Sequence, residues 1–199
     1  MELTFKRTVQ VTGLLLFALA ITQTVYTALY VAGTTPPRQL LWGLESLLFV
    51  LLAAFAGSAL VQAQRLTLGF SAIVCSALLN VVQVSIGLTL FGPFGEAAGQ
   101  LDALAPTAGA VVALSFMIYN AAKILLGLAS IVFGLACLNA GATALGGVTA
   151  AIGGIAMAAN TLSMAAGRDV FGQLPIAGAS GVLATLLLAL CLSRVFRDE

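Results

Sequence analysis

Lys123 stands in the run Tyr119-Asn120-Ala121-Ala122-Lys123, within an apolar stretch where an ammonium group has no water to solvate it. Such a group needs a counter-charge or a polar shell. Glu45 is the one acid inside a comparably apolar segment, so a Lys123 to Glu45 pair, direct or relayed by Asn80, Asn120 or Asn160, is the sharpest expectation. A pair of this kind has two uses. It exchanges a proton or holds a small anionic solute, or it fixes helix register without chemistry. Glu45 alone also suits an interfacial position beside Trp42, whose amphipathic ring belongs at a membrane boundary. The amides of Asn80, Gln83, Asn120 and Asn160 read more readily as hydrogen-bonding glue between helices than as ligand-binding groups, and their collective depth is what supports a functional reading.

The rest of the composition explains why these few groups stand out. The chain has 199 residues, is 61% hydrophobic and only 8% charged, where a soluble domain carries about 25% charged residues. Eight Lys plus Arg and seven Asp plus Glu cannot build a hydrated shell around such a chain. The expected fold class is all-α, a polytopic membrane helix bundle with lipid as its solvent, forming one membrane domain over 1–199.

Several function classes recede. A net charge of +1 without a Lys/Arg cluster offers no nucleic-acid footprint. Cys75, Cys137 and Cys191 have no CxxC spacing, and the chain has no histidine, so metal, haem and disulfide frameworks lack their usual ligands and no cofactor is expected. No GxxxxGK[ST] run is present for a nucleotide. For an enzyme acting on lipid or quinone, only Tyr119, Lys123 and Glu45 would be available as nucleophile or base. An enzyme therefore ranks last. A retinal Schiff base on Lys123 is disfavoured by six spans, few neighbouring aromatics and no counter-ion pattern.

Spans must position these groups. At 1.5 Å per residue a helix needs about 20 residues to cross the hydrocarbon core. Six runs meet that length, at about 10–32, 40–62, 66–90, 108–138, 142–166 and 174–196. Lys6 and Arg7 before the first run resemble a signal-peptide n-region, but the run is long enough to span and Thr34-Thr35-Pro36-Pro37 reads as a loop, so a retained first span is expected. Gln64-Arg65 and Asn139-Ala140-Gly141 are short enough to force antiparallel hairpins. The connection from Phe91 to Thr107 contains Pro93, Glu96, Asp102 and Pro106 and is expected to form an ordered cap. The small-residue run Gly146-Gly147 through Gly153-Gly154 predicts that the fifth span is central and packed on all sides.

With the N-terminus in the cytoplasm, Lys6, Arg7, Arg65, Arg194 and Arg197 lie inside, and Arg38 and Arg168 outside. Both termini are thus expected in the cytoplasm of a bacterial inner membrane. The polar residues then share one half of the bilayer, because antiparallel spans carry them late in spans one, three and five and early in spans two and four. Gln23, Thr27 and Tyr30 follow i, i+4, i+7 spacing, and Tyr119 and Lys123 follow i, i+4. The expected site is therefore Lys123, Glu45, Asn120, Tyr119, Asn80, Gln83, Asn160, Gln23 and Tyr30 in the outer half of the bundle.

The Lys6-Arg7 start, the Gly13-Leu14-Leu15-Leu16 entry, the acidic third loop and the glycine-rich fifth span resemble small six-span bacterial inner-membrane proteins of uncharacterised function. Asn120 and Lys123 depart from the acid and histidine expected there, so the resemblance implies a span layout and no activity. No inverted three-plus-three repeat is evident. Two functions remain in view. One is small-solute or ion binding and transport, with an anionic solute or a proton as ligand. The other is an accessory or assembly subunit, whose partners are lipids and either other membrane subunits or further copies of itself.

Overall fold

A computed structural model describes residues 4–172 and 174–196, except for the side chains of Arg168 and Asp169. Arg197 and the Arg168 side chain, both used above in counting charges by side, lie outside that description. The helices are α1 (Phe5–Val31), α2 (Arg38–Gln62), α3 (Thr67–Thr89), α4 (Phe91–Gln100), α5 (Ala105–Asn139), α6 (Thr143–Ala166) and α7 (Ile176–Val195), with short 3₁₀ turns at Asp102–Leu104 and Arg168–Phe171. The six spanning segments, of which α3 with α4 forms one, are long and apolar enough to cross a membrane. The chain is an all-α, multi-pass integral membrane protein.

Local chemistry sets the ends. Thr4 caps α1, its hydroxyl accepting from the Arg7 backbone N–H at 3.5 Å, so the helix begins before the expected Gln10. Gly141 takes a φ of 83° after α5, and the Ala142 N–H returns to the Cys137 carbonyl at 3.1 Å. That left-handed closure lets α6 double back at once. The expected cap at Phe91–Thr107 resolves into α4, the 3₁₀ turn and the first turn of α5. Pro93 lies in the first turn of α4, where its missing N–H costs little. No residue of α4 is buried.

Packing gives a ring in which α1 touches α2, α2 touches α3, α3 touches α5, α5 touches α7 and α7 returns to α1. The fifth span, α6, lies outside this ring against α5 and α7. This corrects the expectation that the glycine-rich span is central. Gly146, Thr149, Gly153, Ala156 and Asn160 are buried on one face, while Val148, Ile155 and Leu162 on the other are exposed. A Cβ on Gly153 would lie 2.7 Å from the Gly127 carbonyl oxygen, and one on Gly134 would lie 2.7 Å from the Ala150 nitrogen. The glycines thus bring two backbones together along a single seam, leaving the central place to α5.

The end of the bundle that carries the chain termini is filled by aromatic rings. Phe5, Phe70, Phe133 and Phe196 come from α1, α3, α5 and the end of α7, with ring centroids 5.0 to 6.3 Å apart. Gly69 leaves the room that the Phe133 ring fills. The core continues inward through Leu16, Phe49, Ile73, Leu126 and Leu188.

Gly153→Leu is expected to destabilise the bundle by about 1–3 kcal/mol through overpacking of the α5–α6 seam. Gly154→Leu, with nothing within 4 Å of its Cβ position, is expected to leave the midpoint unchanged in thermal unfolding of the detergent-solubilised protein.

Candidate functional site

The site is built around Lys123, whose side chain is 0% exposed. Its stem runs along α7 where Gly181 lacks a side chain: a Cβ there would lie 2.8 Å from the Lys123 Cδ. Gly178, one turn earlier, faces Tyr119 more loosely, an added Cβ there lying at an ordinary contact distance of 3.6 Å from the hydroxyl. The i, i+3 pair of glycines on α7 therefore receives the i, i+4 pair Tyr119 and Lys123 of α5.

The ammonium does not meet a carboxylate. Lys123 Nζ donates to Gln23 Oε1 of α1 at 2.6 Å and lies 5.2 Å from the centroid of the Tyr119 ring. The Lys123 to Glu45 relation anticipated from sequence takes an indirect form. The two groups sense each other's charge without a contact, and Thr22 is the polar side chain set against the Glu45 carboxyl. Glu45 is 5% exposed, and its Oε1 has no hydrogen-bond partner within the protein.

The remaining amides divide into two groups. Gln83 donates to Ser115 at 3.2 Å across α3 and α5, and Asn80 donates to the Ser76 carbonyl at 2.9 Å. Ser76 in turn donates to the Ala122 carbonyl at 2.9 Å, which holds α3 beside Lys123. Asn120 instead donates to Ser163 at 3.2 Å, and Asn160 donates to the Ala156 and Ala177 carbonyls at 2.7 and 3.1 Å. Those two residues serve the seams that α6 makes with α5 and α7 and do not supply the relay expected between Lys123 and Glu45. Asn80 Oδ1 and Asn160 Oδ1 are buried without a partner, like Glu45 Oε1. Each such acceptor costs about 1–3 kcal/mol until something donates to it.

Tyr30 does not join the site. It is 70% exposed, because α1 has by then passed the helices that cover Gln23. Gln23 is buried, so the i, i+4, i+7 face turns inward only at its lower end.

Toward the end that carries α4, Trp42 covers Glu45 from one turn away. Its ring lies 5.4 Å from Tyr26 and 5.9 Å from Phe91, and the Arg38 guanidinium lies over it at 5.8 Å. Gly87 leaves the space that the indole occupies. Beyond this cover opens a depression of about 390 Å³ lined by Tyr26, Tyr30, Gly33, Thr34, Thr35, Pro36 and Arg38. Tyr26 belongs to both compartments, within the electrostatic reach of Arg38 outside and Glu45 inside.

The chain matches no protein family, no characterised protein and no solved structure at a significant level. The site must therefore be judged by its own chemistry. It offers a dry cation with one neutral acceptor, a carboxyl with a free oxygen, and hydroxyl and guanidinium donors at the mouth. Gly181 and Thr22 escaped the sequence reading. A trace of Gly181 exists in the small-residue run Gly178-Ala179-Ser180-Gly181, but its partner is set only by the crossing of α5 and α7.

Gln23→Leu is expected to cost about 1.5–3 kcal/mol of stability, since it strips a charge-assisted hydrogen bond from a buried ammonium. The double variant Gln23→Leu/Lys123→Met should unfold at a higher temperature than the sum of the single losses implies, the signature of direct coupling.

Proposed function

We propose that this protein binds a small solute or ion within the membrane, as members of the transporter class do, with Lys123, Gln23 and Glu45 at the centre of the site. The observation that carries the reading is the placement of Lys123. A fully buried ammonium held by a neutral amide oxygen, beside a carboxyl that does not pair with it, is poor glue. It suits a group that takes a further ligand.

The membrane is the inner membrane of a bacterium and the termini face the cytoplasm. Lys6, Arg7, Arg65 and Arg194 at the termini end, against Arg38 at the α4 end, support this orientation. The polar layer then lies in the outer half and its mouth opens outward. In intact cells, a membrane-impermeant maleimide should label Gly95→Cys on α4 and leave Arg65→Cys unlabelled; the reverse pattern would invert the assignment.

The binding reading is tested on purified protein in nanodiscs, by thermal unfolding against a set of small anions, cations, amines and neutral solutes. At a ligand concentration of about 100 Kd the wild type should gain about 2.7 kcal/mol. Lys123→Met should lose that gain while remaining folded. A protein that no solute stabilises, and that co-purifies stoichiometrically with other membrane subunits, would instead be an accessory subunit whose polar layer locks helices.

A further inference from the structure

The charges in and above the site narrow the ligand. The depression at the α4 end is lined by the hydroxyls of Tyr26, Tyr30, Thr34 and Thr35 and by Arg38, with no carboxylate among its lining residues. These are hydrogen-bond donors around a fixed positive charge. Below them, Lys123 has three N–H donors, of which one goes to Gln23. The mouth and the centre thus each present cationic donors, Arg38 in one and Lys123 in the other.

Glu45 then sets the stoichiometry. The ionisable groups that face it are Lys123 and Tyr119 on α5, Tyr26 on α1 and, two turns away on its own helix, Arg38, whose guanidinium lies over Trp42 and Phe91. The other neighbour of α2 is α3, whose one ionisable side chain, Cys75, lies near the opposite end. Lys123 and Glu45 are therefore the two charges that must balance inside the bundle. In a low-dielectric interior a net charge is far more costly than a neutral pair.

We propose that the site binds one small monovalent anion against Lys123 and that one proton is bound by Glu45 with it. The inference rests on the reading of the Lys123 layer as a binding site. Without ligand, the ammonium of Lys123 balances the carboxylate of Glu45. An anion at the ammonium would leave one negative charge in excess, and a proton from the aqueous mouth, taken up on the partnerless Oε1, removes it. Anion and proton leave together, no bond other than the O–H is made or broken, and each cycle is electroneutral. Full burial of the Lys123 head, with its stem lodged over Gly181, restricts the anion to a few atoms, as in chloride, nitrate or a short carboxylate.

The test uses the full chain reconstituted in vesicles that contain a pH dye, with inward gradients of labelled chloride or nitrate. The wild type should admit one proton per anion. In Glu45→Gln, whose amide takes up no proton, anion entry should slow and the entry that remains should lose its coupled proton, so that the proton-to-anion ratio falls toward zero. Lys123→Met should lose both fluxes. Because the ratio is read within Glu45→Gln, the outcome does not depend on Lys123→Met folding.

Anion entry without protons in the wild type would overturn the coupling and leave the binding site standing. No entry of either anion would overturn the inference as a whole. If, in that case, a cation or neutral solute stabilises the wild type and not Lys123→Met, the binding reading survives; if nothing does, both fall.

Discussion

A buried ammonium dictates its surroundings more strictly than any apolar side chain, because its donors must be met and its charge opposed within a few ångströms. In this bundle the contact from Lys123 to Gln23 fixes α1 against α5 across the ring, between helices that share little other packing. The stem is seated by Gly181 on α7, and the opposing charge comes from Glu45 on α2. Four of the five ring helices thus meet at this one side chain or its charge. The fifth, α3, is tied in by the bond from Ser76 to the Ala122 carbonyl, the residue next to Lys123.

The outer faces are bound by different means. In lipid the hydrophobic effect does not drive one apolar helix onto another, so close backbone approach and small hydroxyl bonds must do so. The α5–α6 seam uses Gly127, Gly134, Gly146 and Gly153 for this purpose. On the ring side Ser130 of α5 donates to the Ala184 carbonyl of α7 at 3.1 Å, and on the outer side the Cys191 thiol donates to the Thr149 hydroxyl at 3.2 Å. These contacts make α5, α6 and α7 a close-packed unit, against which α1 to α3 complete the ring.

Span number and hairpin connectivity were legible in the sequence because bilayer thickness sets a length that runs of apolar residues either meet or miss. That polar residues of different spans would meet was legible for the same reason, since antiparallel spans convert position in the chain into depth, and the bonds from Lys123 to Gln23, Gln83 to Ser115 and Asn120 to Ser163 join such residues. What depth cannot supply is the direction in which a side chain points. Asn120 and Lys123 are neighbours along α5, yet one serves α6 and the other α1, and only the crossing of the helices decides between them. The same gap explains the fifth span. Small residues announce close approach but not on how many sides, so its richness in glycine read as centrality when it marks one seam. Tyr30 shows the limit of facial periodicity, since a face stays buried only as far as its neighbours extend.

The two ends of the bundle close the polar layer unequally. At the termini end four phenylalanine rings interlock, with Phe70, Phe133 and Phe196 no more than 2% exposed, so opening there would expose a large part of the core. At the α4 end the cover is Trp42 with Tyr26, Phe91 and Arg38, beneath an open depression and beside a helix that buries none of its residues. The cation over the Trp42 ring contributes on the order of 0.5–1 kcal/mol at an exposed position, far less than the packing of the opposite plug. If the Lys123 layer takes up a solute as proposed, this unequal closure favours entry through the end where the hydroxyl and guanidinium donors stand.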